Sequence, residues 1–194
     1  MMLVETQRKT ITVGVVEPQE AIQYAISMLL NSQQDSEVVG VEATGEDGMR
    51  MLIEKRPKIA IVEVDLESRS GFELAGDLVM RQRETKVIFY SSAMPDIYIE
   101  QALRSKAAGY VLKSDSLACL LTAVQAVAKG GTFYSEAIRD RVSIDPATGN
   151  TRAQFESRMT QLSDRQLEVL RHLAYGLSVK DVARKMHISV KSVD

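Results

Sequence analysis

From Ile11 onward the chain switches repeatedly between two hydrophobic periods. ITVGVV is a short β-branched run that reads as a buried strand, and EPQEAIQYAISMLLNSQ after it carries Ile22, Ala25, Ile26, Leu29 and Leu30 at helical spacing. Pro18 is expected in the first turn of that helix, where a missing N–H leaves no bond unmade. The alternation then recurs. EVVGVEA, IAIVEVD, KVIFYSS and GYVLK read as strands, while GEDGMRMLIEKRP, GFELAGDLVMRQRE, PDIYIEQALRSKA and SLACLLTAVQAVAKGG read as helices. Five strands alternating with five helices predict an α/β domain. Its crossovers are too long for hairpins, so the sheet is expected to be parallel, doubly wound and covered on both faces.

Beyond residue 138 the pattern changes. DRVSIDPATGNTRAQFESR lacks clean periodicity and contains Pro-Ala-Thr-Gly-Asn, which reads as a linker over 139–158. The remainder is helical in short pieces. Ser163 with Gln166 and Ser178 with Asp181 form two capping boxes, Gly176 closes the first helix, and Ser189 is expected to cap a third. Three caps in so short a stretch, with a tight turn after Met186-His187, predict a helix-turn-helix at 159–194. The organisation is thus a domain over 10–138, a linker, and a small all-α domain.

Composition narrows the function. With 194 residues, 45% apolar and 26% charged, the chain has room for one ordinary domain and a small one. The formal net charge of −2 hides an uneven split: residues 151–194 carry a net +3 and the rest −5. That division suggests two modules with different partners. Cys119 is the single cysteine, which excludes an internal disulfide and any multi-cysteine zinc site. His172 and His187 have no further metal-ligating residues beside them in sequence. No run approaches the ~18 apolar residues of a membrane helix, and no signal peptide is visible, so a cytoplasmic protein without membrane contact is expected.

In a doubly wound sheet, ligand chemistry gathers at the carboxyl ends of the strands. There the sequence places Glu17 after strand one, Glu63 and Asp65 after strand three, Ser91 after strand four, and Lys113 after strand five. Carboxylates, a hydroxyl and a lysine could share one small site. The plain alternative is an ion-pair cluster with only a structural role.

The alternation, GYVLK, PKIAIVEVDLESRSGFEL and LSDRQLEVLRHLAYGLSVKDVARKMHISVKSV together resemble a response regulator of the NarL/FixJ type. Such a protein has a receiver domain followed by a LuxR-type helix-turn-helix. The resemblance implies a flavodoxin-like receiver and control of transcription through DNA, with a homodimer and a sensor kinase or another regulator as partners. It makes Glu63 the equivalent of the phosphoacceptor aspartate and Glu17 and Pro18 the equivalents of the acid pair that helps hold Mg²⁺. Ser91 and Lys113 become the phosphoryl contacts, and Tyr110 the aromatic that rotates on activation. In the C-terminal module it points to Lys180, Arg184, Ser189 and Lys191 for DNA.

The departures carry consequences. Pro18 removes a metal ligand and Glu63 lengthens the acceptor by a methylene. Mg²⁺ demands near-ideal octahedral geometry, so no cofactor, or Mg²⁺ bound only weakly, is expected. The receiver is therefore expected to work without aspartyl phosphorylation. Two explanations of Glu63 stand open: a partial imitation of the phosphorylated state, since one carboxylate carries less charge than a phosphate ester, or a site that has simply been lost. Phosphorylation of Asp65 is a third. The recognition helix contributes only Val190–Asp194, and Asp194 stands where the family has a lysine, so DNA binding by the chain as it stands is expected to be poor. A receiver-like interaction module that tunes another regulator is the alternative function. An enzyme of the haloacid-dehalogenase kind, suggested by Glu63-Val64-Asp65, has no second supporting feature.

Overall fold

The computed structural model describes residues 10–67, 69–92, 94–144, 151–153, 162–174 and 176–193. Ten elements follow the alternation read from the sequence: β1 (Ile11–Val16), α1 (Glu20–Asn31), β2 (Ser36–Glu42), α2 (Gly45–Lys55), β3 (Ile59–Val62), α3 (Gly71–Arg81), β4 (Lys86–Ser91), α4 (Asp96–Arg104), β5 (Gly109–Leu112) and α5 (Leu117–Ala128). The sheet is parallel, and its order is β2-β1-β3-β4-β5-β6. The sixth strand corrects the expected five. β6 (Phe133–Tyr134) pairs with Gly109 and Tyr110 and is two residues long, too short to show a period.

The sheet is buried on both faces because its strands are apolar on both. β3 is buried along its whole length. On one face Val16, Val62, Phe89 and Tyr110 pack with Leu52, Leu74 and Leu78 of α2 and α3. On the other Val13, Val15, Ile61, Ile88 and Val111 pack with Ile26 and Leu30 of α1 and Leu120 and Val124 of α5. Side chains alternate across a strand, so neighbouring residues feed opposite cores. Cys119 is half-buried at the edge of the second core rather than inside it.

The segment read as a linker is partly ordered. α6 (Glu136–Arg139) is followed by β7 (Val142–Ile144), which pairs antiparallel with β8 (Thr151–Ala153). Arg141 ties this region to the α/β domain: it donates to the Met94 carbonyl and pairs with Asp96 at the start of α4. The strands are three residues each, and pairing rather than periodicity forms them.

Two local expectations are also corrected. Pro18 lies outside α1: Gln19 is the N-cap, and the Pro18 ring precedes it. The third helix of the C-terminal module is a single 3-10 turn, Val190–Ser192, and Ser189 makes no side-chain cap there; its hydroxyl meets that of Ser192 at 2.8 Å. The other caps form. Ser163 and Gln166 exchange bonds, with Ser163 N–H donating to Gln166 Oε1 (2.9 Å) and Gln166 N–H to Ser163 Oγ (3.4 Å), at the start of α7 (Asp164–Ala174). Ser178 Oγ accepts from Asp181 N–H at the start of α8 (Val179–Lys185). After α8, His187 takes a left-handed conformation (φ 52°), and Ile188 N–H donates back to Ala183 O. That is the bond pattern that ends a helix sharply.

Candidate functional site

The strand order reverses at β1, with β2 on one side and β3 on the other. Loops leaving β1 and β3 diverge there and open a crevice at the carboxyl ends. Each charged residue of the crevice stands one residue past its strand, still held by the ladder. Glu17 N–H donates to Glu42 O, Glu63 N–H to Val16 O, and Lys113 N–H to Ser91 O, each at 2.9 Å. The backbone thus fixes where these side chains begin. β1 ends at Val16, where ITVGVV ends, whereas β3 stops three residues short of the IAIVEVD run and β5 one short of GYVLK, so Glu63 and Lys113 begin loops.

The three side chains close on one another. Lys113 Nζ lies 2.7 Å from Glu17 Oε2 and 2.6 Å from Glu63 Oε2. Glu63 Oε1 accepts from the N–H groups of Val64 (2.6 Å) and Asp65 (3.2 Å), and Glu17 Oε1 accepts from Gln19 N–H (3.0 Å). Every carboxylate oxygen of the two glutamates therefore faces a donor or the ammonium. Both Lys113 approaches are contacts of opposite charges, off the line of a well-formed hydrogen bond. All three side chains are at least nine-tenths buried.

Burial pushes the Glu17 carboxyl above its ordinary 4.5, and Lys113 only partly offsets this. Burial also draws the Lys113 ammonium down, but its close contacts with the Glu17 and Glu63 carboxylates and their charges outweigh that, and its pKa ends above 10.5.

The loop carrying Glu63 is clamped from below. Gly71 N–H donates to Val64 O at 2.9 Å, and a Cβ on Gly71 would stand 2.2 Å from Glu63 O, so only glycine allows α3 to begin there. Ser70 caps that helix through Glu73 N–H. Asp65 is not part of the closed cluster. It is exposed, and its carboxylate accepts from the Tyr98 hydroxyl of α4 at 3.0 Å. Tyr98 escaped the sequence reading, since nothing local marks a hydroxyl that meets a residue 33 positions earlier. Its ring stacks edge-on against Phe72, which meets Phe89, which meets Tyr110. Tyr110 is fully buried, with its ring inward. Ser91 is buried beside the crevice at the end of β4.

Mg²⁺, which the receiver family implies, does not fit these residues. Pro18 supplies no carboxylate, and the oxygens of Glu17 and Glu63 are already turned to Lys113 and to backbone N–H groups.

In the C-terminal module, Lys180, Arg184, Ser189 and Lys191 are all exposed. Lys180 and Arg184 share one face of α8, while Val182, Ala183 and Met186 turn to the small core. Arg184 also pairs with Asp181 at 3.1 Å, which spends part of its charge locally. Asp194 lies outside the described residues. His172 is buried 3.8 Å from Glu168, and His187 is exposed at the turn.

The family described as the response regulator receiver domain matches residues 13–125, and that of bacterial regulatory proteins, luxR family, matches residues 160–194. The oxygen regulatory protein NreC of Staphylococcus haemolyticus (strain JCSC1435) is 29% identical over 190 residues, covering 93% of this chain and 84% of that protein. The transcriptional regulatory protein DesR of Bacillus subtilis (strain 168) is 26% identical over 183 residues, covering 94% and 84%. Among solved structures, RcsB from Salmonella enterica serovar Typhimurium, bound to promoter rprA with phosphomimetic BeF3-, superposes with a TM-score of 0.70 at 18% identity, covering 95% of this chain and 87% of that one. Among the described residues no helix is long and apolar enough to cross a membrane. The chain belongs to the response regulator family, with a receiver domain followed by a LuxR-type regulatory domain, and its class is transcription regulation.

Proposed function

We propose that this regulator is set by a built-in carboxylate instead of an aspartyl phosphate. The observation that carries the reading is the Glu63 carboxylate itself, held by two backbone N–H groups and the Lys113 ammonium. Those are the donors an anionic group in this crevice would use, and Glu63 fills them from within. The inward, fully buried Tyr110 supports the view that Glu63 partly imitates a phosphorylated receiver. Lys113 and backbone N–H groups occupy the oxygens of both glutamates, and Pro18 supplies no further ligand, so Mg²⁺ binds weakly at best. Asp65 is held by Tyr98 and stands outside the donor cradle, which argues against it as a substitute acceptor.

Output runs through the C-terminal module. Lys180, Arg184, Ser189 and Lys191 contact DNA; the basic side chains meet phosphates, which position the module and make binding fall with salt. The active species is a homodimer, as suits a helix-turn-helix reading two half-sites. A sensor kinase is not required for activity; another regulator is the input that remains.

The test is incubation with Mg²⁺ and acetyl phosphate or beryllofluoride, followed by intact mass and a metal titration. No adduct and only feeble Mg²⁺ binding are expected. An adduct mapping to Glu63 or Asp65 overturns the reading. Gel retardation by the longest natural form of the chain decides the second reading: failure to retard any DNA would favour an interaction module that tunes another regulator.

A further inference from the structure

At the amino ends of the strands, far along the sheet from Glu63, three arginines line one cleft. Arg56 ends α2, Arg81 ends α3, and Arg83 follows in the turn to β4; together with Ile53 and Thr85 they bound a cavity of about 320 Å³. Among the described residues no ion pair or side-chain hydrogen bond engages any of the three guanidinium groups. Glu84, which also lines the cleft, pairs with none of them, although nearby Glu54 and Lys55 do pair, at 3.0 Å. Lys58 and Lys86, at the starts of the adjoining strands, add to the same positive end.

Two features mark the cleft as built. The buried Thr85 hydroxyl donates to Pro57 O at 2.6 Å and accepts from Gln82 Nε2 at 2.5 Å, and the same amide reaches Leu52 O at 3.4 Å. These bonds lace the α2–β3 turn to the α3–β4 turn, so the arginines stand on a fixed base. Arg56 also occupies a left-handed conformation (φ 46°), where glycine or asparagine is the easier residue. A cation at a helix C-terminus is favourable by itself. That accounts for an arginine on each helix but not for three meeting unpaired, one of them on a strained backbone.

We propose that this cleft is a binding site for a small ligand bearing more than one phosphate, such as a nucleotide or a short polyphosphate. Planar guanidinium groups bind phosphate oxygens in pairs. The cleft is concave and small, and its Ile53 wall gives the ligand an apolar side. The site is independent of Glu63 and Lys113, so failure of the phosphorylation reading leaves it standing.

The probe is inorganic tripolyphosphate, titrated calorimetrically into the whole chain at low salt. One site per chain is expected. Arg81→Ala with Arg83→Ala weakens it at least about tenfold, while Lys180→Ala in the C-terminal module leaves it unchanged. Arg56→Gly also weakens it, yet leaves the midpoint of urea unfolding unchanged or higher, because the left-handed strain is relieved. Absence of binding, or equal binding by the double arginine variant, overturns the proposal. A duplex DNA competitor supplies the remaining arm. If DNA displaces tripolyphosphate, and the double variant loses DNA affinity in step, the cleft is a nucleic-acid backbone contact and the small-ligand assignment falls.

Discussion

The two ends of the central sheet handle charge in opposite ways. At the carboxyl end, Glu17, Glu63 and Lys113 are buried and turned on one another, with backbone N–H groups taking the oxygens the lysine does not. At the amino end, Arg56, Arg81 and Arg83 are exposed around a cleft, and their guanidinium groups form no ion pair or hydrogen bond among the described residues. A buried charge must find its counter-charge within the fold, because desolvation is otherwise too costly. An exposed one can remain unpaired in water and stay available. The end that resembles an active site therefore has its charges turned on one another, and the end that no family motif points to has three that are exposed.

The largest effect expected from testing this contrast comes from Lys113→Met. Removing one partner of a buried ion pair typically costs about 3–5 kcal/mol, and here two carboxylates lose their shared cation. Urea unfolding at neutral pH should show a loss of that order. The pH dependence carries a sign. Lys113 has its pKa raised above 10.5 in the folded chain, so its contribution is complete below 10.5 and disappears as pH climbs through the folded value. Glu17 is also raised, above 4.5; the folded state holds its proton more tightly, so stability falls as pH rises from 4.5 through the folded value. In Lys113→Met the deficit should thus be greatest at neutral pH and shrink as the medium is acidified toward 4.5. A variant as stable as the parent across this range would mean that the carboxyl end is not a closed cluster.

Thr85→Val probes the opposite end and should cost less. The hydroxyl is buried and bonds to both Pro57 O and Gln82, so its loss leaves a buried carbonyl without its donor, an effect of about 1–3 kcal/mol. The arginines themselves are untouched. If the cleft depends on a fixed base, tripolyphosphate binding should weaken along with stability; if binding persists unchanged, the arginines act as a loose cationic surface and the contrast between the two ends is one of exposure only.

Much of the molecule was legible because its periods are long and its strands apolar. β1, β3 and β4 are runs of Val, Ile and Phe, and the helices between them keep an apolar stripe, so the five βα units could be read off directly. β6 and the β7–β8 hairpin could not. Two- and three-residue strands carry no period, and they exist through partners such as Val142↔Ala153. In the site, the acids and the lysine were legible as strand-end residues, since the ladder delivers them to one edge. Their closure was not. That Lys113 would stand between two glutamates depends on side-chain reach across three strands, and that Asp65 would turn to Tyr98 instead depends on where α4 packs. The arginine cleft was hidden for a related reason: Arg56 and Arg81 are remote in sequence and line one cleft because β3–β4 pairing and Thr85 bring their turns together.

The smallest effect expected, and the one that sharpens the boundary of the closed end, concerns Tyr98→Phe. The hydroxyl donates to exposed Asp65 while its ring stays packed on Phe72. Phenylalanine keeps the packing and removes only the bond, which is worth about 1 kcal/mol, since the carboxylate can turn to water instead. Asp65 lies directly after the cradle formed by Val64 and Asp65 N–H around Glu63. If the cradle is held by its own bonds and by the Gly71 clamp, Tyr98→Phe should lower stability by that small amount and leave Mg²⁺ titration and acetyl phosphate treatment without effect, as in the parent. If the variant instead gains metal binding or takes up a phosphoryl group, the closure of the carboxyl end is maintained from α4. The Tyr98–Asp65 bond would then belong to the site.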